Sequence, residues 1–464
     1  MMKKIHLTGI CGAGMGSLAG LLKEAGFDVR GSDQLFYPPM SDQLKTLQIP
    51  LFQGFDAKNL DWGPEAVVIG NACPKDNPEV QRVLKEKKRY LSLPQALQEF
   101  FLKEKKALAV AGTHGKTTTT HLLAWVLKQA GLDPGFMVGG VGLNTGKSFG
   151  LGKGDYFVLE ADEYDSAFFD KNPKFIHYRP HGAILTSVEW DHVDIYPQFE
   201  KMIGAFQAFL KTLGKDSILL AWADSEVISE LTRNPAFKLF RYGRTQGDYT
   251  AKDINTTLPP ALAGPANLEN ALGVAGLCRQ LGLSPEQIAQ GLKTFQGVKK
   301  RQEVKGVVKE VTVIDDFAHH PTAVRRTIEA LKEKYPGQRL ITVFEPRSNT
   351  SRRNAHYQDY LKAFKGADRV LLAPPWRPEK IPPAERLDTE KLADDLMRRG
   401  VEAFAIEDHD AIVEYILRSI GPKEVVAFFS NGDFNNIHRK LLDKLERRKI
   451  VEDRKQVRSI KVKK

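Results

Sequence analysis

The stretch Ala107-Leu108-Ala109-Val110-Ala111-Gly112-Thr113-His114-Gly115-Lys116-Thr117-Thr118 decides the fold. Five apolar residues in a row suit a strand buried on both faces, and the glycines that follow end it in a tight turn. Leu123, Val126, Leu127 and Ala130 then fall at helical spacing, so the segment reads strand, loop, helix. In that context Gly112 and Gly115 let backbone N–H groups face phosphate oxygens, and the helix start adds positive potential. Lys116 can reach the β- and γ-phosphates, and the Thr117 hydroxyl can ligate Mg²⁺. Gly112, Thr113, His114, Gly115, Lys116, Thr117 and Thr118 are therefore expected to bind ATP. The common form of such a loop has its first glycine where Val110 stands, so this one is short.

The same grammar occurs twice more, which places the chain in the α/β class. Lys4-Ile5-His6-Leu7-Thr8 enters a Gly-rich run, Gly9 to Gly16, and a helix with Leu18, Leu21, Leu22 and Ala25 on one face. A second strand around Phe27-Asp28-Val29 reaches Gly31-Ser32-Asp33. A third unit opens near Val298, and its strand Val311–Ile314 follows a basic stretch. At 464 residues the chain exceeds what one core can organise. The charged stretch Lys103-Glu104-Lys105-Lys106 reads as a linker, and the expected domains are 1–103, 104–298 and 299–464.

Hydrophobic residues at 42% and charged residues at 27% exclude wholesale disorder. No apolar run approaches the roughly 18–20 residues of a membrane helix, so no membrane partner is expected. Cys11, Cys73 and Cys278 lack paired spacing, which suits a reducing, cytoplasmic setting and argues against a thiolate metal site. The net charge of +11 is mostly local: Lys444–Lys464 holds ten Lys/Arg against three Asp/Glu. The body is only mildly basic, so nucleic acid is not an expected partner. Oligomeric state has no legible signal.

Acidic and polar groups recur at strand ends, where open α/β sheets bind ligands. Asp155–Leu159 delivers Glu160-Ala161-Asp162-Glu163, and His181–Val188 delivers Glu189-Trp190-Asp191-His192. With Thr117 these offer ligands for a divalent cation, and Thr117, Glu160 and His192 are the expected metal set. Without the phosphate loop, the same acids would read as solvated loop residues. Asp315-Asp316-Phe317-Ala318-His319-His320 ends another strand; adjacent histidines on a turn point apart, so ribose or phosphate contact is expected rather than zinc. Leu340–Phe344 presents Glu345-Pro346-Arg347-Ser348-Asn349-Thr350, in which Arg347 suits forked recognition of a carboxylate. The Gly9-x-x-Gly12-x-Gly14 run has Ser17 where a dinucleotide fingerprint wants a third Gly or Ala, so diphosphate binding is expected without nicotinamide.

Taken together these residues resemble the Mur ligase family, ATP-dependent amide-forming enzymes of peptidoglycan synthesis, whose short loop has the form Gly-Thr-His-Gly-Lys-Thr-Thr. The resemblance covers nearly the whole chain up to the basic tail. It implies a three-domain architecture: a Rossmann-like amino-terminal domain, a central P-loop ATPase-like domain and a Rossmann-like carboxy-terminal domain. It further implies that the Gly-rich loop, Ser32-Asp33 and the stretch from Asn71 through Asn77-Pro78-Glu79 form the UDP-sugar diphosphate site, with Gly12, Ala13, Gly14, Met15, Ser32, Asp33 and Asn71 as the binding residues. Asn267 and Asn270, in Gly264-Pro265-Ala266-Asn267-Leu268-Glu269-Asn270-Ala271, match the adenine-binding helix start, although Ala266 stands where relatives usually have His. Arg301, Asp316 and His319 match nucleotide-binding positions of the carboxy-terminal domain. ATP and Mg²⁺ are the implied cofactors, with Lys116, Glu160 and His192 carrying the catalysis.

Within the family, residues 160–171, 174–178 and 345–350 look more like the members that attach a ready-made tripeptide, L-alanyl-γ-D-glutamyl-meso-diaminopimelate, to UDP-N-acetylmuramate. The members that add L-alanine are the alternative. A tripeptide brings several carboxylates, and Arg347, Ser348 and Asn349 are the expected receptor. Asp433-Phe434-Asn435-Asn436 replaces a more glycine-rich run of the family. Two readings from other classes remain at this stage: a polynucleotide-stimulated ATPase, suggested by the tail, and a non-catalytic UDP-sugar sensor. The strand-end acids and His192 favour an enzyme.

Overall fold

The structure, a computed structural model, describes residues 3–36 and 40–447. Most of the basic tail, from residue 448 onward, lies outside the described residues. The described residues form two compact units, one drawn from the segments up to 190, 198–259 and 268–298, the other from 191–197, 260–267 and 299–447.

The first unit holds two sheets. Strands β1 (Lys4–Thr8), β2 (Asp28–Asp33), β3 (Leu51–Gln53), β4 (Ala66–Ile69) and β5 (Tyr90–Ser92) form a sheet of order β3-β2-β1-β4-β5, parallel throughout. Parallel pairing forces crossover connections, so both faces are covered and the central strands read as unbroken apolar runs. Val67 and Ile69 of β4 accordingly pack with Val80 and Val83 of the helix Pro78–Lys85.

The second sheet begins at β6 (Lys106–Ala111) and adds β7 (Gly135–Met137), β8 (Phe149–Gly150) and β9 (Tyr156–Ala161). A small hairpin follows, β10 (Asp165–Ala167) with β11 (Asp170–Pro173), and then β12 (Gly182–Leu185), β13 (Ile218–Trp222) and β14 (Lys238–Tyr242). The order is β14-β13-β12-β6-β9-β7-β8, with only the short β8 antiparallel. The expected linker is corrected at its end: Lys106 already pairs in β6, donating its backbone N–H to Asp155.

The second unit is built on β15 (Glu303–Val308), β16 (Val311–Asp316), β17 (Arg339–Phe344), β18 (Arg369–Leu372), β19 (Ala403–Ala405) and β20 (Glu424–Phe429), ordered β15-β16-β20-β17-β18-β19. β16 and β20 are buried at every position, because helices cover both faces. Val324, Ile328 and Leu392 pack on one side, and Ile412, Ile416, Ile437 and Leu441 on the other. β15 pairs antiparallel to β16 at the sheet edge. The carboxyl ends of β16, β20, β17 and β18 share one rim, since these strands are adjacent and parallel. No helix among the described residues is long and apolar enough to cross a membrane.

Candidate active site

β6 ends at Ala111 and the helix Lys116–Gln129 starts five residues on, so the four intervening residues make a tight strand-to-helix turn. Gly112 has φ 131° and Gly115 φ 81°, conformations open to glycine and costly for other residues. Space excludes a side chain as well. A methyl at Gly112 would overlap Thr186, and one at Gly115 would lie 2.6 Å from Asn270 Oδ1. Residues just beyond β12 brace the loop. Thr113 N donates to Ser187 O at 3.0 Å, His114 N to Ser187 Oγ at 2.9 Å, and Thr186 Oγ1 to His114 O at 2.5 Å. The loop is thus held open by its neighbours, with the helix amides beyond it directed along the axis.

Lys116 is nearly buried and donates to Gly112 O at 2.6 Å and to Glu163 Oε1 and Oε2 at 3.0 and 2.9 Å. Burial opposes its charge, but Glu163, Asp162 and Glu160 outweigh that and raise the ammonium above the usual lysine range. Glu160 sits in β9 opposite Val110 of β6. It accepts from Thr117 Oγ1 at 2.9 Å and from Gly139 N at 2.8 Å. Burial first, then Asp162, pushes its carboxyl up, against the pull of Lys116 and the two hydrogen bonds. A buried carboxyl whose ionised form is opposed by burial and a second acid, 2.9 Å from a hydroxyl, is a hard-oxygen pair whose ionised form a divalent cation would stabilise. Thr117 and Glu160 therefore fit Mg²⁺. Glu163 does not join them: it is the counter-ion of Lys116.

In the amino-terminal sheet, the N–H groups of Gly9 and Ile10 donate to Ser32 O at 2.8 and 3.0 Å, and that of Cys11 to Asp33 Oδ2 at 2.8 Å. Gly12 O accepts from Gly16 N at 2.8 Å, which starts the helix Ala13–Glu24. The amides of Ala13, Gly14 and Met15 have no acceptor among the described residues, as expected of a first helical turn. Gly12 to Met15 and Asp33 thus lie together. Asn71 is exposed just after β4, on the same rim. The Ser32 side chain is turned inward: its hydroxyl is fully buried and donates to Glu79 Oε2 at 2.7 Å.

In the second unit, Arg301 stacks on Phe317 with its guanidinium carbon 4.4 Å from the ring centre. Asp316 accepts from Gln302 N at 2.7 Å and Ala318 N at 2.8 Å, so it shapes its own loop while facing the Arg301 charge. His319 lies 3.0 Å from Phe317 O, and burial lowers its affinity for a proton. His192 belongs to this unit, with left-handed backbone (φ 53°) beside buried Asp191. Burial would raise Asp191, but His192, His319 and His320 hold it far below the usual carboxylate range. Asn267 donates to Ala263 O at 2.9 Å, which closes the first turn of the helix Pro265–Gln280; that helix carries Asn270 onto Gly115.

Arg347 lies at the rim beyond β17, its guanidinium 4.7 Å from the Trp376 ring centre. Its Nη1 is 2.8 Å from Asp433 Oδ1 and 3.6 Å from Glu345 Oε2. The expected receptor trio divides here. Ser348 Oγ bonds Ser351 Oγ at 2.9 Å, and Asn349 bonds Asp194 at 2.8 Å and Arg352 at 2.5 Å. Ser348 and Asn349 therefore build the loop, and Arg347 alone of the three presents a charged fork at the rim.

Three family models match in succession: "Mur ligase family, catalytic domain" over residues 4–105, "Mur ligase middle domain" over 110–278, and "Mur ligase, glutamate ligase domain" over 300–432. The chain is also 37% identical to the UDP-N-acetylmuramate–L-alanyl-γ-D-glutamyl-meso-2,6-diaminoheptandioate ligase of Haemophilus influenzae, across 96% of this chain and 100% of the relative. The chain belongs to the Mur ligase family. It is accordingly a ligase, and Mur ligases form amide bonds at the expense of ATP. Among solved Mur ligases, a murein peptide ligase from Psychrobacter arcticus aligns with TM-score 0.70 at 31% identity, covering 96% of this chain and 99% of that one. The UDP-N-acetylmuramate–alanine ligase of Thermotoga maritima aligns with TM-score 0.77 at 25% identity over the same shares, 96% and 99%.

In this Mur ligase Ser187, which sequence reasoning left without a role, braces the phosphate loop, while Glu163 and Asp191, read only as strand-end acids, and Glu79, read only with the UDP-sugar stretch, take specific partners. Glu163 was legible as one more strand-end acid, but only folding shows that it takes the lysine. The loop geometry gives a direct prediction. Gly112→Ala should both strain the backbone and collide with Thr186, lowering stability by about 1–3 kcal/mol and weakening ADP binding at least tenfold. Thermal melting and calorimetric titration with ADP would check it; unchanged ADP affinity would separate Gly112 from the nucleotide.

Proposed function

We propose that this protein joins UDP-N-acetylmuramate to the tripeptide L-alanyl-γ-D-glutamyl-meso-diaminopimelate, with ATP and Mg²⁺, in peptidoglycan recycling. The observation that carries this reading is the full-length likeness to the Haemophilus influenzae ligase, whose name states those substrates. The phosphate loop with Lys116, Thr117 and Glu160 supports the chemistry, and Arg347 supports an acceptor rich in carboxylates. Three buried free cysteines and the use of ATP support a cytoplasmic setting.

A carboxylate resists an amine, because its carbonyl carbon is shielded by charge and oxide is a poor leaving group. In the proposed sequence a lactyl carboxylate oxygen attacks the γ-phosphorus of ATP, and ADP leaves. The alanine amine of the tripeptide then attacks the carbonyl carbon. The C–N bond forms, the C–O bond to phosphate breaks, inorganic phosphate leaves with that electron pair, and the nitrogen loses a proton. Bringing two anions together is the main barrier, so Lys116 acts by charge on the phosphates. Mg²⁺, when bound by Thr117 and Glu160, supplies further neutralisation there. His192 is assigned a metal-ligand role on the chemistry of its imidazole, and Asp191 holds it in place. Ala13, Gly14 and Met15 offer amides to the UDP diphosphate. Asn267, Asn270, Arg301, Asp316 and His319 are assigned to the nucleotide.

The test is Mg²⁺-dependent ADP release with UDP-N-acetylmuramate, adding in parallel the tripeptide or L-alanine, with products weighed by mass spectrometry. Only the tripeptide should stimulate, and a UDP-muramyl-tripeptide should appear. Stimulation by L-alanine alone would move the protein to the alanine-adding reading, which the likeness to the Thermotoga maritima enzyme keeps as the second candidate.

A further inference from the structure

One buried carboxylate on a helix packed against the amino-terminal sheet takes no part in the mechanism above. Glu79 is fully buried at the second position of the helix Pro78–Lys85, where the helix start favours a negative charge. Its Oε2 accepts from Thr8 Oγ1 at 2.7 Å, Ser32 Oγ at 2.7 Å and His6 Nε2 at 3.0 Å, and its Oε1 accepts from Asn59 Nδ2 at 2.7 Å. Trp62 Nε1, which can only donate, faces His6 Nδ1 at 3.4 Å, so the His6 proton sits on Nε2, toward Glu79. Burial would raise the Glu79 carboxyl, yet the hydrogen bonds from His6, Asn59 and Ser32 hold it below its ordinary range. It is an ionised group satisfied wholly by side chains.

The donors are placed at the points that matter. Thr8 is the last residue of β1 and runs directly into Gly9; Ser32 is the penultimate residue of β2 and precedes Asp33. Ser32 also accepts the Gly9 and Ile10 amides, and Asp33 accepts the Cys11 amide, so the first half of the Gly-rich run hangs from these two strand ends. A single carboxylate therefore fixes both anchors of the loop whose remaining amides, at Ala13, Gly14 and Met15, lack protein acceptors among the described residues. A core needing only stability would be served by apolar residues, since buried charge is costly unless fully bonded.

We infer that Glu79 is a positioning residue for the UDP-sugar: with Thr8, Ser32 and His6 it holds the Gly-rich loop in the geometry that receives the diphosphate, and Ser32 acts through Glu79 rather than by touching the ligand. This rests on the reading of that loop as the UDP-N-acetylmuramate site. Glu79→Gln keeps the shape but cannot accept at both oxygens, and Ser32→Ala removes one donor from the same network. The experiment is calorimetric titration of each variant with UDP-N-acetylmuramate and with UDP, beside the KM for ATP and the melting temperature. Both variants should bind UDP-N-acetylmuramate and UDP about tenfold or more weakly, with the KM for ATP within twofold of wild type. Wild-type affinity in Glu79→Gln would overturn the inference while leaving the UDP-sugar reading intact. So would an equal loss for ATP with a lower melting temperature, which marks a merely structural residue. Wild-type protein that binds neither UDP compound would overturn the reading of the site itself.

Discussion

Lys116→Ala should lower kcat/KM for ADP formation about a thousandfold, the scale of removing one fixed donor from a developing negative charge. The ammonium is positioned by Gly112 O and the two Glu163 oxygens, and it sits where the helix Lys116–Gln129 starts. Nothing else described on the loop carries a full positive charge. The variant also leaves Glu163, at 0% exposure, without its cation. Breaking a buried pair from one side costs about 3–5 kcal/mol, so loss of activity could be confused with loss of fold. The double variant Lys116→Ala/Glu163→Gln resolves this, because it removes the stranded charge. It should recover much of the melting temperature and none of the turnover. Near-normal turnover in Lys116→Ala would sink the assignment of the phosphate loop to catalysis.

The same pair shows what sequence could and could not give. The Gly-rich loop was legible because strand, glycines, lysine and helix lie within one short stretch, and local chemistry fixes their arrangement. Glu160 was legible as an acid at a strand end, for the reason that ligands gather there. The partner of Lys116 was not legible: Glu163 lies 47 positions away, and its neighbour Glu160 has the same chemistry. Which of the two takes the lysine depends on β9 pairing with β6 in a register that sets Glu160 opposite Val110. The partner of Ser32 was hidden for a related reason. Its motif position put it in the UDP-sugar site, but alternation along β2 turns the hydroxyl into the core, where Glu79 waits.

At the fold level the apolar strands β6, β16 and β20 announce themselves. The hairpin β15–β16 did not, because its turn places Lys309 (φ 49°) and Glu310 (φ 62°) in left-handed backbone without the Asn-Gly that signals such a turn. The rim of the second unit has a comparable feature. Phe434, Asn435 and Asn436 take φ of 47°, 50° and 52°, so the run expected to be richer in glycine is left-handed backbone built without it. That turn follows Asp433, the partner of Arg347.

Arg347→Ala should reduce kcat/KM for the tripeptide about a hundredfold or more, as expected for truncating a partly buried charge that meets a carboxylate, and leave the KM for ATP unchanged. Arg347→Lys should rescue little, because an ammonium can neither lie on Trp376 as a plane nor present two parallel donors. Gly432 supplies a test that leaves every charge in place. A methyl there would overlap the Arg347 side chain along its guanidinium end, although Gly432 itself does not adopt left-handed backbone. Gly432→Ala must therefore displace the guanidinium from between Trp376 and Asp433 without straining its own φ. If Arg347 binds the peptide, Gly432→Ala raises the KM for the tripeptide about tenfold or more and spares the KM for UDP-N-acetylmuramate. If Arg347 only braces the rim through Asp433 and Glu345, both variants lower the melting temperature and move all three KM values together. Steady-state kinetics on the three substrates, with melting curves for each variant, separates the two cases.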